Sequence, residues 1–322
     1  MPAKIHAPTL PNLQRLAKAL QRGELVAIPT ETVYGLAGHA LDAKACRTIF
    51  RAKGRPTNDP LIVHVLDLAH AEQLAEFNDT ARRIARKFWP GPLTLVLPRK
   101  ACIPDIVTSG GDTVALRAPA HPLARKLLQL ARVPLAAPSA NPFSYISPTS
   151  AAHVQQGLGR RIKHILDGGE STVGVESTVL DLTNPAKPVI LRPGAIDEKM
   201  LGRFLRRKVV VRTGTKSKGR LKAPGLLERH YSPRTPLHLM RKPVAATAQR
   251  AVILQRQPSG KIPPHTYWLS ARGALAEIAH NLYRVLREAD AAGYREISIE
   301  PVPPTAGGLA AAINDRIRRA AA

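Results

Sequence analysis

The sequence predicts an α/β (α+β) chain in two units: a mixed-sheet unit over residues 1–212 and a small open unit over 238–322. Three observations predict it. Short runs rich in Val, Ile, Leu and Thr alternate with amphipathic helical patterns. A stretch rich in Gly, Pro, Lys and Arg, with no sustained period, interrupts them between Thr213 and Leu237. Finally, 322 residues at 44% apolar are enough for two cores, since a domain takes roughly 100–200 residues.

Strands are expected at Leu25–Pro29, Leu61–Val65, Leu93–Leu97, Thr113–Arg117, Val133–Ala137, Ser177–Leu182 and Val189–Leu191. A helix is expected to begin near Asp42 and end at Lys53 and Gly54. Another is capped by Asn78, places Ala81, Ile84, Ala85, Phe88 and Trp89 on one face, and stops at Pro90-Gly91. Strand and helix do not repeat as a strict pair, which argues against a plain doubly wound sheet. The 25-residue stretch 213–237 is longer than an ordinary connection within a domain and reads as an interdomain linker. Beyond it, Ala251–Leu254, Thr266–Leu269 and Glu296–Ile299 read as strands. Leu275, Ile278, Ala279, Leu282, Val285, Leu286 and Ala289 share a helix face, and Leu309–Arg319 forms a last helix. There is no internal repeat and no low-complexity block.

Composition excludes several classes. Two cysteines, Cys46 and Cys102, cannot build a disulfide scaffold or a four-thiolate zinc site and fit a reducing compartment. No apolar run approaches the roughly 18 residues of a membrane helix, and no secretory leader is visible, so a soluble cytoplasmic protein is expected. The eleven histidines form no HxxxH or HExxH pair. GxxxxGK[ST], GxGxxG after a strand, and GxSxG are all absent. With 48 Lys+Arg against 23 Asp+Glu, the net charge is +25, and nine of the twenty residues from Arg203 to Lys222 are basic. Such an excess fits a polyanionic partner, nucleotide or RNA, although aromatics at 4% are too few for an obvious base-stacking platform.

What remains is chemistry at strand ends. Ile28–Leu36 carries Thr30, Glu31, Thr32 and Tyr34 in a loop closed by Gly35. Hydroxyls and a carboxylate there suit a small polar substrate, and equally an ordinary turn. Lys53 and Arg55 flank Gly54 at a helix end, where they either complement the helix carboxyl terminus or clamp phosphate. His64 ends one strand and Arg117 another; a lone His is more often a satisfied core residue than a ligand. Ala137-Pro-Ser139-Ala-Asn141 places a hydroxyl and an amide in a Pro-set turn. Glu176-Ser177 and Arg192 sit near further strand ends. A cavity lined by Lys, Arg, Thr, Ser and Asn suits binding and orienting polyanions rather than covalent catalysis.

The strings PTETVYGLAGHA, RAKGRPTNDPLIVH, FWPGPLTLVL, VALRAPAHP, APSANP, ISPTSAAHV, VGVESTVLDL and LRPGAI follow one another in this order. In that register the chain resembles the YrdC-like family. The linker string APGLLERHYSP and the tail AAAINDRIRRAA are similar to its two-domain branch, the threonylcarbamoyl-AMP synthases. The resemblance is dense over about residues 13–237 and loose over the last 85. It implies a twisted mixed sheet around a deep basic cavity, followed by a small Rossmann-like domain. It implies a nucleotidyltransferase that makes L-threonylcarbamoyladenylate and pyrophosphate from L-threonine, bicarbonate and ATP, with Mg2+ as cofactor. The product would feed a separate threonylcarbamoyl transferase complex in tRNA modification. It further implies that Lys53, Arg55, Ser139 and Asn141 form the nucleotide set, with Thr113, Ser147 and Arg192 assisting; Lys53 and Arg55 are the implied catalytic pair. Thr32, His64, Arg117, the backbone at Ala137 and Ser177 would hold threonine, with Tyr34 nearby, and the linker would fold over the cavity and bring Tyr231 to ATP. Asp59 stands where the family pattern has asparagine, which puts an acid beside the implied triphosphate as a partner for magnesium or a hydroxyl. The competing class is a non-catalytic, translation-associated RNA-binding protein, resting on the net charge and the basic run before the linker.

Overall fold

The computed structural model describes residues 2–212, 229–304 and 307–322. The elements in chain order begin with β1 (Lys4–His6), α1 (Leu10–Gln21), β2 (Val26–Ile28), β3 (Gly35–His39), α2 (Ala43–Lys53) and β4 (Ile62–His64). They continue with α3 (Leu68–Glu72), α4 (Asp79–Phe88), β5 (Leu93–Pro98), α5 (Asp105–Thr108), β6 (Thr113–Arg117), α6 (Pro122–Ala131) and β7 (Leu135–Ala136). Then come α7 (Ala151–Leu158), β8 (His164–Leu166), β9 (Thr178–Asp181), β10 (Val189–Arg192), α8 (Glu198–Leu205) and β11 (Val210–Val211). The last are β12 (Leu237–Leu239), β13 (Arg250–Arg256), β14 (Thr266–Ser270), α9 (Leu275–Ala291), β15 (Glu296–Ile299) and α10 (Ala310–Ala320).

Eleven strands form one mixed sheet in the order β1-β8-β2-β3-β7-β4-β6-β5-β9-β10-β11, and four form a second in the order β12-β15-β13-β14. The first mixes parallel and antiparallel neighbours; β4 runs parallel to β6 while β3 and β4 both run antiparallel to β7. The second is parallel throughout, with α9 and α10 packed on it. Both agree with the fold class expected from sequence. Among the described residues, no helix is long and apolar enough to cross a membrane.

Local chemistry explains the helices that matter for the site. The Asp42 carboxylate accepts from the amides of Lys44 and Ala45 and starts α2. Asn78 accepts from Ala81 N and starts α4, a cap contributing about 1 kcal/mol. Gly54 closes α2 at φ 65°, a left-handed position that costs an L side chain about 1–2 kcal/mol, and so turns the chain between Lys53 and Arg55.

The structure corrects several boundaries. Gly35, expected to close a loop, opens strand β3 opposite Ile28, so residues 29–34 form the connection of an antiparallel pair. The strand expected over Val133–Ala137 narrows to β7, because Pro134 has no N–H to give a ladder. Of the expected linker, residues 213–228 lie outside the described residues. Its end is not loose: Ser232 bridges to Tyr145, and Leu237 opens β12.

The first sheet has buried clusters of its own, whereas the core under the second sheet reaches into the first unit. One buried cluster joins Leu282, Leu286, Ile297, Ile299 and Ile313 of the second unit to Val33, Ile146, Val175 and Tyr231. Gly174 (φ 80°) makes this close approach possible. A Cβ there would stand 2.4 Å from the Ala279 carbonyl oxygen and from the His280 Cα in α9.

Candidate active site

The loops after β2 and β7, the ends of β4, β6 and β10, the α2–β4 connection and the segment before β9 converge on one cavity. Its lining includes Thr30, Thr32, Arg55, His64, Arg117, Ser139, Ser177 and Arg192, and is completed by Glu176, His230 and Tyr231. With His230 and Tyr231 in place the free volume is about 40 Å³. The parallel pairing of β4 and β6 sets His64 directly opposite Arg117 at the two strand ends, which is why one wall carries both.

The cationic wall grows from the end of α2. Lys53 Nζ donates to the carbonyls of Ser139 (2.5 Å) and Asn141 (2.6 Å), tying α2 to the APSANP turn. Burial, then the nearby Arg55 charge, pull the Lys53 ammonium well below its ordinary pKa, against the opposing attraction of Asp59. Arg55 donates to the carbonyls of Asp59 and Pro60 and pairs with the Asp59 carboxylate at 2.9 Å. Arg192 donates to the Ser177 carbonyl through Nε (3.1 Å) and to its hydroxyl (3.2 Å), and that hydroxyl in turn meets Thr94 Oγ1 at 2.8 Å.

The opposite chemistry gathers around Arg117. Its guanidinium pairs with Glu31 at 2.7 Å, donates to Thr32 Oγ1 at 2.8 Å and reaches the Gly91 carbonyl at 3.3 Å. Thr30 gives its only hydroxyl proton to the Val33 carbonyl, so Thr32 must donate to Thr30 (2.9 Å). The chain of donors therefore runs from Arg117 through Thr32 to Thr30. Burial alone would raise the Glu31 carboxyl, but Arg117 more than reverses this and holds it below its ordinary value. His64 is buried with neither ring nitrogen hydrogen-bonded; burial, then Arg117, push its pKa down to about 3, so the imidazole is neutral at pH 7. The Ala137 amide donates to the Ile62 carbonyl, which fixes the backbone between these walls.

Of the residues singled out from sequence, Thr32, Arg55, His64, Arg117, Ala137, Ser139, Ser177, Arg192 and Tyr231 line the cavity. Lys53 and Asn141 stand behind Ser139, with the Asn141 amide nitrogen on the carbonyls of Pro142 and Tyr145. Ser147 gives its hydroxyl to Glu176 Oε1 at 2.6 Å. Tyr34 turns elsewhere: its hydroxyl donates to Gly169 O (2.7 Å) and accepts from Gly168 N. Thr113 begins β6 at the end remote from Arg117, about 13 Å along the strand, and is not in the lining. Asp59 faces Arg55 rather than an open metal site. Each acid near the cavity is held by an arginine, Glu31 by Arg117, Asp59 by Arg55 and Glu176 by Arg316. Among the described residues no group of three His, Cys, Asp or Glu could hold a metal. Sequence reasoning missed His230, one position before Tyr231, and the roles of Glu176, Tyr283 and Arg316. The last two belong to α9 and α10; Arg316 lies in the tail string AAAINDRIRRAA, but that string carries the resemblance without a role for any of its residues, and no string marks Tyr283.

Two family models match. One, described as Telomere recombination and covering the Sua5, YciO and YrdC proteins, matches residues 18–194; the other, described as Threonylcarbamoyl-AMP synthase, C-terminal domain, matches residues 196–322. A Threonylcarbamoyl-AMP synthase of Pyrococcus abyssi is 41% identical over 318 residues, covering 94% of this chain and 91% of that one. One of Bacillus subtilis is 37% identical over 329 residues, covering 97% and 93%. The crystal structure of P. abyssi Sua5 complexed with L-threonine superposes with a TM-score of 0.90 at 37% identity, covering 99% of this chain and 98% of that one. With both units matched in order and relatives aligned along nearly their full length, this chain belongs to the threonylcarbamoyl-AMP synthase family.

Proposed function

We propose that the chain converts L-threonine, bicarbonate and MgATP to L-threonylcarbamoyladenylate and pyrophosphate. The observation that carries the reading is the joining, in one cavity, of an arginine–hydroxyl–carboxylate pocket suited to an amino acid with two buried guanidinium groups, Arg55 and Arg192, suited to a triphosphate. Threonine's carboxylate pairs with the Arg117 fork, with Thr32, His64, the Ala137 backbone and Ser177 around it and Glu31 available to its ammonium. Arg55 and Ser139 hold the nucleotide with Lys53 and Asn141 behind them, Arg192 and Ser147 assist, and Tyr231 closes over it, while Thr113 is too far along β6 to take part and Asp59 acts on Arg55 alone.

Bicarbonate, on taking up a proton, yields CO2 and water. The threonine amine, having lost its proton, attacks CO2 to form a carbamate and releases a second proton. A carbamate oxygen then attacks the α-phosphorus; the bond from that phosphorus to the bridging oxygen breaks, and pyrophosphate leaves with the electron pair. Two anions must meet, so Lys53 and Arg55 serve by screening charge and holding the in-line geometry. Magnesium carried by the triphosphate would partly neutralise its charge. Closing the cavity with His230 and Tyr231 would shield a labile mixed anhydride from water.

The reading places the chain in the cytoplasm, feeding a threonylcarbamoyl transferase complex that acts on tRNA. The charge of +25 favours an RNA contact beside the catalysis, with binding that weakens steeply as salt rises. The deciding experiment is mass spectrometry and pyrophosphate release on the purified chain. Adenylate that depends on both threonine and bicarbonate is expected. Pyrophosphate without threonine dependence would mean a different acceptor, and no turnover with retained RNA binding would favour the non-catalytic reading.

A further inference from the structure

We propose that Arg316, in the last helix of the second unit, is a positioning residue for nucleotide binding: it compensates the Glu176 carboxylate in the cavity wall and ties together three strings that line the cavity. This rests on the adenylating function proposed above.

Glu176 lies in the cavity wall beside Ser177, and both of its carboxylate oxygens are engaged by hydrogen-bond donors. Oε1 accepts from Ser147 Oγ at 2.6 Å; Oε2 accepts from Tyr283 Oη at 2.9 Å and from Arg316 Nε at 2.7 Å. Arg316 is fully buried and spends its fork on several partners at once. One terminal nitrogen pairs with Asp315 at 2.7 Å; the other donates to the carbonyls of Pro193 (3.0 Å) and Glu176 (3.4 Å). The guanidinium carbon stands 5.3 Å from the Tyr231 ring centre. One side chain thus touches the strings VGVEST, LRPG and HYSP, which carry Ser177, Arg192 and Tyr231 into the cavity.

Charge counting gives the consequence. Glu176 and Asp315 balance Arg316 and Arg319, the last paired with Asp315 at 3.0 Å, so the cluster subtracts nothing from the cations that would meet a triphosphate. Without Arg316 the same wall carries one uncompensated carboxylate facing a polyanionic substrate. Burial alone would raise the Glu176 carboxyl; Arg316, then Arg192 and Ser147, bring it down to about 2, so the acid is an anion at any working pH.

The test is a charge-rescue cycle. In Arg316→Met, KM for ATP should rise about 30-fold, the effect of stranding one partner of a buried charge pair. KM for threonine should stay within about threefold. Adding Glu176→Gln to that variant removes the stranded charge and should recover most of the ATP affinity, which a purely structural role for Arg316 would not allow. Equilibrium binding of a non-hydrolysable ATP analogue reads the same quantity without turnover, so an inactive wild type would sink the proposed function and still leave this cycle measurable. An Arg316→Met chain that keeps wild-type ATP binding, or a double variant no better than the single one, would overturn the inference. If Arg316→Met does not fold, Glu176→Gln alone decides: the surplus positive charge should tighten analogue binding several-fold, and unchanged or weaker binding would overturn it.

Discussion

Arg117→Lys probes the amino-acid pocket with the charge kept and the geometry changed. The native guanidinium spans three directions at once, Glu31 at 2.7 Å, Thr32 at 2.8 Å and the Gly91 carbonyl at 3.3 Å, while still facing the cavity. A lysine ammonium is a compact point charge that cannot present a planar fork to a carboxylate. It should keep the ion pair with Glu31, so the buried acid is not stranded and the chain should fold. The loss is one hydrogen bond to a charged ligand, about 1.5–3 kcal/mol, which at about 1.4 kcal/mol per tenfold is roughly a 10- to 150-fold rise in threonine KM. Pyrophosphate release is followed against threonine concentration at saturating MgATP and bicarbonate, then against ATP at saturating threonine. The ATP KM should move less than about threefold, because Arg117 contacts none of Lys53, Arg55, Ser139 or Asn141. An unchanged threonine KM, or equal rises in both constants, would refute the assignment of Arg117 to the carboxylate.

His64, neutral when folded with a pKa near 3 against an ordinary 6.5, binds its proton more readily in the unfolded chain. Stability from this group is therefore present above pH 6.5 and falls as pH drops toward 3, by about 1.4 kcal/mol per unit. Denaturant unfolding at pH 7, 5 and 4 should show a shallower acid slope in His64→Gln than in the wild type, and equal slopes would count against a buried neutral imidazole. Tyr34→Phe removes the partner of Gly168 N and Gly169 O and should cost about 1–3 kcal/mol of stability. Threonine KM should hardly change, and a large KM effect would return Tyr34 to the pocket. Gly54→Ala meets nothing within 4 Å, so its cost is conformational alone, about 1–2 kcal/mol in a thermal or chemical melt; an unshifted melt would mean that the left-handed cap is not required.

Legibility followed locality. Strand β6 was readable end to end because Thr-Val-Ala-Leu-Arg is a short apolar run bounded by turn residues, and α4 because Asn78 and Pro90 punctuate it. Strand β3 reads Gly-Leu-Ala-Gly-His, with no β-branched residue; pairing to β2 and β7 makes it a strand, and no window of sequence contains that pairing. The same holds at the site. Lys53, Arg55, His64 and Arg117 announce themselves at element ends, where charged groups have a local reason to be noticed. The partner of Glu176 lies 140 positions away on a helix whose own pattern explains it as an ordinary amphipathic surface. Tyr34 sits among pocket residues in sequence, but its hydroxyl is spent on the backbone of Gly168 and Gly169, 134 and 135 positions away, a pairing no local window contains.

The core that holds α9 and α10 takes in Val33, Ile146 and Val175, which belong by sequence to the first unit. The chain is therefore hard to dissect. Cut after residue 212, it would leave those three side chains, and the groove at Gly174 shaped to a helix backbone, as a bare apolar surface prone to self-association. Inactivity of such a fragment would say little about chemistry, because insolubility would come first. A fair comparison of the two units needs point changes on the intact chain, or a fragment whose exposed valines and isoleucine have first been made polar.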